Sequence, residues 1–568
     1  MRHNFDVLAA AQLSARDTIM RPRRVLLVLS CTVLVLPGCS VRPKEPPPST
    51  DIDDTAFGDY VRVLASDDFL GRKPGTAGED KTINYLVENF RKIGLKPGDG
   101  KSYVQAVPLV QITATDPKLT VSGTAGSHSL VYGKDMVIWS KRAVPDVQVA
   151  GSELIFAGYG IVAPEYSWND YANLDVHGKT VVVMAGDPGY ASKDPTLFKG
   201  NAMTEYGRLA YKVEEAARQG AQGVLVIHDA AALGFGWDAI QSTWTGAQFE
   251  LPAADAYAGR AAIEGWLQND AARALFSAAG IDFTKTLRAA SHPGFKGLPL
   301  GQSISATIHN TLRSFNSQNV IALLPGRSAH EFVMYTAHWD SLGIDAARSG
   351  RNIYNGAVDD ATGVAGLLAL AQSFKHTDPK PERSIAFLAT TASEPDLLGS
   401  RYYLENPVLP LRETAAVINV DMLINGGRSR DVSILGYGNT DLEEAARAEA
   451  LLQGRDAHAD PSPQLGLYFR SDSYNFAHRG VPVLYTQAGI DSAARGPVWG
   501  KAQIDDYFAH RYHQPGDQYS ADWDVSGPVT DLNLDYHVGL RIANSKRFPR
   551  WYPNSEFRAR HRATSAGN

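Results

Sequence analysis

At 568 residues the chain exceeds what one hydrophobic core supports, so two or three domains are expected. With 44% hydrophobic and 20% charged residues it is neither a disordered chain nor a multi-span membrane protein. A formal net charge of −6 gives no reason to expect nucleic acid as a partner.

The N-terminus reads as a targeting segment over residues 1–39. Arg21, Arg23 and Arg24 precede an apolar run from Val25 to Leu36, too short to span a bilayer comfortably, and Leu36-Pro37-Gly38-Cys39 follows. This pattern resembles a bacterial lipoprotein signal, which implies export to the cell envelope or periplasm. Cys39 would be the lipidated first residue and the chain's contact with the membrane. Met20 is a better placed start than Met1. Both cysteines, Cys31 and Cys39, lie in this segment, so the body offers neither a disulfide framework nor a thiolate metal site. Residues 40–55, with Pro43, Pro46, Pro47 and Pro48, read as a stiff extended tether.

Beyond it, Ile83, Leu86, Val87, Phe90 and Ile93 recur at helical spacing, and Gly94 and Pro97 stop the helix. From about 108 short alternating segments such as Leu119-Thr120-Val121 predict small β elements. Thr180–Met184, Ala210–Arg218 and Gly223–Ile227 read as strand, helix and strand. After 300 the alternation becomes regular. Apolar strands are expected over Asn319–Leu324, Phe332–Ala337, Ile385–Ala389, Ala416–Val420 and Val481–Tyr485, with a helix over Ala361–Phe374. Strands buried on both faces and alternating with helices argue an α/β fold covered on two sides, with ligands at the carboxyl ends of the strands.

Five residues in this region form a candidate metal set: His338, Asp359, Glu394, Asp421 and His513. Two imidazoles and three carboxylates suit a borderline cation such as Zn²⁺. They are separated by tens of residues, which is wrong for a zinc finger and right for a site assembled by a fold. Five ligands are too many for one catalytic zinc and enough for two ions if one carboxylate bridges. Asp359, at the entry to the predicted helix, is the natural bridge. Each residue alone has an ordinary explanation: a helix cap for Asp359, a loop histidine for His338, a surface charge for Glu394, a structural turn for His513. Asp421, closing an apolar strand, is the hardest to dismiss because an unpaired carboxylate there would be costly.

The strings that hold these residues resemble metallopeptidase family twenty-eight, the co-catalytic zinc aminopeptidases related to glutamate carboxypeptidase and glutaminyl cyclases. They are His338-x-Asp340, Gly356-Ala357-Val358-Asp359-Asp360-Ala361-Thr362-Gly363, Glu394 ahead of Leu397-Leu398-Gly399-Ser400, Asn419-Val420-Asp421-Met422, and Tyr512-His513-x-Pro515-x-Asp517. The resemblance spans about residues 55 to 545. It implies a mixed, mostly parallel sheet sandwiched by helices, formed by 56–110 and 301–550, with a tail over 551–568. It also implies that 111–300 is an inserted β-rich α/β protease-associated domain, which Gly158-Tyr159-Gly160-Ile161 and Asp175-Val176-x-Gly178-Lys179-Thr180-Val181 resemble. By the resemblance one zinc takes His338, Asp359 and Asp421, and a second takes Asp359, Glu394 and His513. Asp340 then holds the ring of His338 from outside the coordination sphere. Peptide N-termini would be the substrate.

One departure matters. The family pattern has two adjacent glutamates, a general base and then a ligand, where this chain has Ser393 and Glu394. A serine hydroxyl cannot act as a base near neutral pH, and losing a general base costs about 10²–10⁴-fold in rate. Asp396 is a candidate substitute. Ser473 stands where many relatives carry histidine. The expected activity is that of an exported two-zinc aminopeptidase. The alternatives are a weakened or non-hydrolytic binding protein of the same fold, and a glutaminyl-cyclase-like aminoacyl transferase that uses one zinc.

Overall fold

The computed structural model describes residues 51–558 except 125 and 329. The targeting segment with Met20 and Cys39, residues 40–50 of the tether, and residues 559–568 of the tail lie outside the described residues. Among the described residues no helix is long and apolar enough to cross a membrane.

The chain opens with α1 (Asp54–Leu64), whose N-cap Asp53 accepts the Ala56 N–H at 2.7 Å. Next comes α2 (Ala77–Ile93), which buries Ile83, Leu86 and Phe90 of the expected stripe. It ends where the sequence predicts, at Gly94, in the left-handed conformation a helix C-cap requires (φ 85°). The chain then contributes β1 (Val104–Gly123), β2 (Met136–Trp139), β3 (Asp146–Phe156), β4 (Thr180–Met184), α3 (Leu209–Arg218), β5 (Gly223–Ile227), α4 (Trp237–Trp244) and β6 (Ile263–Leu267). A 27-residue strand, β7 (Leu298–Leu324), leads back out. The remaining elements are β8 (Phe332–His338), α5 (Thr362–His376), β9 (Ser384–Thr390), α6 (Leu398–Glu405), β10 (Thr414–Asn419), β11 (Asp431–Leu435), β12 (Asp456–Ala459), β13 (Val483–Ala488), α7 (Gly496–His510) and α8 (Ser526–Asn544).

One hydrogen-bonded sheet runs through the molecule in the order β12-β11-β13-β10-β8-β9-β7-β3-β4-β5-β6-β2. Strands β9, β8, β10 and β13 are mutually parallel, as are β3, β4, β5 and β6. Strand β7 joins the two halves. Its C-terminal end pairs antiparallel with β9 (Val320 opposite Ala389), its N-terminal end with β3 (Leu298 opposite Phe156), and its stretch from Ser303 to Val320 with β1.

Here the structure differs from the sequence reading. The short β pieces expected near 119–121 belong to β1, a 20-residue strand, and Asn319–Leu324 is only the end of β7. The expected domain boundaries at 110/111 and 300/301 therefore fall inside two paired strands. Residues 309–316 of β7 hide no complete face from solvent, so no alternation marks them as strand.

The core of the second half follows from its patterning. Helix α5 is apolar nearly all round, with Val364, Leu367, Leu368, Leu370 and Phe374 buried, because it packs between the sheet and α1, α2 and α8. Small residues set the spacing. Gly539 of α8 lies so close to Tyr335 of β8 that a Cβ there would enter the hydroxyl's van der Waals envelope, while that hydroxyl donates to the Asp535 carbonyl at 2.8 Å. Alanine is intrinsically favoured over glycine in a helix by about 1 kcal/mol, but overpacking costs about 1–3 kcal/mol. Gly539→Ala is expected to lower the urea midpoint, and Tyr335→Phe in that background to recover part of the loss. Strict additivity of the two changes in a double-mutant cycle would refute this account of the contact.

Candidate metal centre

Three parallel strands bring the site together. Strands β8, β9 and β10 end at His338, Thr390 and Asn419, so the loops after them open on one edge of the sheet. His338 ends β8 itself, Glu394 lies in the turn after β9, and Asp421 follows β10 by two residues. Asp359 comes from the loop before α5 and His513 from the loop after α7.

In the string before α5, adjacent aspartates do different work. Gly356 takes a left-handed conformation (φ 51°), and a Cβ on it would strike the Asp359 carbonyl and Ser341. Asp360 is the residue that caps: its carboxylate accepts the N–H groups of Gly363 at 2.9 Å, Met422 at 3.1 Å and His338 at 3.1 Å. Asp359 is left for the site. Its backbone N–H and that of Val358 donate to the Asp517 carboxylate at 3.0 and 2.9 Å, which fixes the loop. The helix proper begins at Thr362, one residue later than predicted.

The five expected ligands form two buried groups that share Asp359. His338, Asp359 and Asp421 offer atoms within 4.8 Å of one another, as do Asp359, Glu394 and His513. Asp359 Oδ1 is 3.1 Å from His338 Nε2, and its Oδ2 is 3.3 Å from His513 Nε2. Asp421 Oδ1 lies 3.9 Å from His338 Nε2, and Glu394 Oε2 lies 2.9 Å from His513 Nε2. One carboxylate thus faces both groups with a different oxygen for each.

Burial alone would lower both imidazoles, but the carboxylates outweigh it. His338 is held well above its ordinary value by Asp340 and Asp359, and His513 is lifted to about 9 by Glu394 and Asp359. Burial pushes Asp421 up to about 7 and also raises Glu394. Burial would raise Asp359 as well, yet hydrogen bonds from the two histidines hold it below the usual carboxylate range. Glu394 Oε1 is buried with no hydrogen-bond partner. A leftover buried acceptor beside a mixed imidazole and carboxylate set fits borderline divalent cations. His338, Asp359 and Asp421 would hold one ion, and Asp359, Glu394 and His513 a second.

The other expected site residues fall as follows. Asp340 does not take the ring of His338 with its carboxylate. The ring Nδ1 bonds the Asp340 backbone carbonyl at 3.1 Å, with the nearest carboxylate oxygen at 3.7 Å. That carboxylate instead accepts the N–H groups of Ser393 at 3.0 Å and Glu394 at 3.3 Å, and so shapes the turn that presents Glu394. The Ser393 hydroxyl donates to Asp472 Oδ2 at 2.9 Å. Asp396 lines the same cavity but faces Lys141 at 4.0 Å. Ser473 is fully buried, its hydroxyl 2.6 Å from that of Ser471, and it is Ser471 that lines the cavity.

Several contributors were not singled out from the sequence. Arg72 is fully buried, and its guanidinium donates to the carbonyls of Leu64, Trp339, Asn355 and Gly356, bracing the loops under the site. Asp472 stands behind Ser393. Asp360 and Asp517 lie in strings whose chemistry was assigned to their neighbours. The cavity over the site encloses about 190 Å³, and its far wall comes from residues between 139 and 266, including the stacked pair Trp139 and Trp244 with centroids 4.6 Å apart.

A cation must displace the protons these groups carry. The surrounding carboxylates favour the protonated form of His338 and His513, and both must be neutral as ligands. Zinc binding at pH 7 is therefore expected to release about two protons per pair of ions. Affinity is expected to climb as pH rises toward about 9, the His513 value. Calorimetry in buffers of different ionisation enthalpy measures both; binding that is indifferent to pH between 6 and 9 would rule the assignment out.

Comparison with known proteins places this geometry. Residues 319–537 match the model of peptidase family M28. Aminopeptidase NAALADL1 of Mus musculus is 32% identical over 141 residues, 23% of this chain and 17% of that protein. A probable zinc metalloprotease of Pyrenophora tritici-repentis is 28% identical over 172 residues, 29% of this chain and 38% of its own length. The chain thus spans well under half of these relatives. Among solved structures, the aminopeptidase from Aneurinibacillus sp. strain AM-1 superposes with a TM-score of 0.50 at 19% identity, covering 89% of this chain and 95% of that one, which is a likeness of fold. The matched stretch, residues 319–537, contains all five of the clustered histidines and acids.

Proposed function

We propose that the protein is a metal-dependent aminopeptidase that uses two zinc ions to hydrolyse the first peptide bond of its substrates. The observation that carries this reading is the placement of Asp359, with one carboxylate oxygen toward each of two ligand groups. Bound there, a pair of divalent cations would supply Lewis-acid activation of water and of a peptide carbonyl. The chain's own residues do the rest. Asp340, Asp360 and Asp517 hold the ligand loops through backbone N–H groups, which limits reorganisation during reaction. The Trp139 and Trp244 wall narrows the approach, in keeping with a substrate entered by its end. Segment 111–300 is proposed as a protease-associated insert that forms this wall. The sequence of the targeting segment supports export with lipidation at Cys39, testable by the mass of the mature N-terminus.

A second reading rests on Ser393. The family's general base is replaced by a hydroxyl that already donates to Asp472. This favours a peptidase of reduced rate, or a binding protein that kept the metal site. Asp396, engaged with Lys141, is poorly placed to restore the base.

Zinc-loaded protein is expected to release chromophore from aminoacyl amides, and a chelator to abolish the release. No release above background, with two zinc ions bound per chain, would favour the non-hydrolytic reading. Ser393→Glu is expected to raise kcat by about 10²-fold or more. An unchanged kcat would mean that the wild-type chain obtains its base elsewhere. One zinc per chain at saturation would favour the cyclase-like reading.

A further inference from the structure

We infer that Thr243, in the inserted region, is a positioning residue for the metal ligand His513, so that the insert completes the metal centre as well as walling the cavity. The inference rests on His513 being a ligand, as proposed above. The Thr243 hydroxyl lies 2.7 Å from His513 Nδ1, across 270 residues of sequence. One residue earlier, the Ser242 hydroxyl donates to the His513 carbonyl at 2.6 Å and accepts from the Gln514 side-chain amide at 3.1 Å. The C-terminal turn of α4 therefore grips the ligand's ring and its backbone together.

Both grips answer a need at this residue. His513 has φ 55°, a left-handed conformation that a residue with a Cβ adopts only when its surroundings impose it. The Ser242 bond to its carbonyl and stacking of the ring on Tyr512, with centroids 3.8 Å apart, hold it there. Nε2 faces Asp359 and Glu394 and must present a lone pair to a cation. A neutral imidazole then carries its proton on Nδ1, and the acceptor in reach is the Thr243 oxygen. No residue of the region matched by the family model, 319–537, supplies this bond. The ligand comes from the catalytic region and its orienting partner from the insert.

Thr243→Val keeps the shape and removes the acceptor. Thr243→Ser keeps the acceptor. The test is zinc competition against a chromophoric chelator on the full chain, which reads affinity and stoichiometry without reference to activity. Wild type is expected to bind two ions. Thr243→Val is expected to weaken one of them by about 10–100-fold, as loss of a ligand's hydrogen-bond partner does, with Thr243→Ser close to wild type. In a His513→Ala background Thr243→Val is expected to change the remaining ion's affinity little, because the group it orients is gone. Two ions bound equally tightly by wild type and Thr243→Val would overturn the inference while leaving the aminopeptidase reading intact. Wild type that binds no zinc would overturn both. Equal weakening of both ions by Thr243→Val and Thr243→Ser would mark a general packing defect, and that also overturns the assigned role.

Discussion

The structure is governed by the amount of negative charge it buries at one sheet edge. Asp340, Asp359, Asp360, Asp421, Asp472 and Asp517 are all at most 6% exposed, and Glu394 joins them. Carboxylates removed from water must be paired, hydrogen-bonded or protonated. Apart from Asp472, which accepts the hydroxyls of Thr390 and Ser393, the chain divides them into two kinds. Asp340, Asp360 and Asp517 spend their lone pairs on backbone N–H groups and thereby fix the loops. Asp359, Glu394 and Asp421 direct oxygens toward the histidines and are stabilised only in part, by imidazolium charge that a cation would replace. The first kind makes the second kind's geometry possible, because an unbraced cluster of acids would separate.

This division explains what the sequence could show. The ligands stand beside unmistakable features, since β8, β9 and β10 are continuous apolar runs and a polar residue just past one of them is conspicuous. The glycines of the Asp359 string are equally visible, and the structure gives both a steric role: a Cβ on Gly363 would collide with the Val420 carbonyl and the Asp360 carboxylate. What could not be read is which of two neighbouring acids caps and which ligates, because both roles ask for a carboxylate at a helix entry. Asp340 shows the same limit. The family resemblance implied a hold on the imidazole, yet the main-chain carbonyl takes the ring and the side chain turns to Ser393 and Glu394. Arg72 and Thr243 had no local signal at all. They act across 267 and 270 residues, respectively, and only the assembled fold brings them near.

At position 393 the serine is integrated into its surroundings. Its N–H meets Asp340 and its hydroxyl meets Asp472, whose carboxyl burial pushes upward and whose second oxygen has no partner. A hydrogen-bonded path thus runs from the cavity wall at Ser393 inward to an acid. The hydroxyl cannot itself hold a catalytic proton, but it keeps the turn before Glu394 in place, so a hydroxyl at 393 and the clustered carboxylate of Glu394 are compatible in one turn.

The stretch between β1 and β7 enters the same logic through those two strands. A β ribbon is a poor hinge where paired side by side for most of its length, because bending it breaks ladder bonds in register. Strand β7 pairs with β9 at Val320–Leu324 and with β3 at Leu298–His309, so the position of α4 over the cavity is tied to the same strand that sits next to β9. Displacing the insert would strip His513 of the hydroxyl at its Nδ1 and of the bond on its carbonyl. It would also leave a left-handed histidine backbone without one of its supports. The family match covers 319–537 and with it His513, but the hydrogen bonds on the His513 ring and carbonyl come from a helix that lies outside that span.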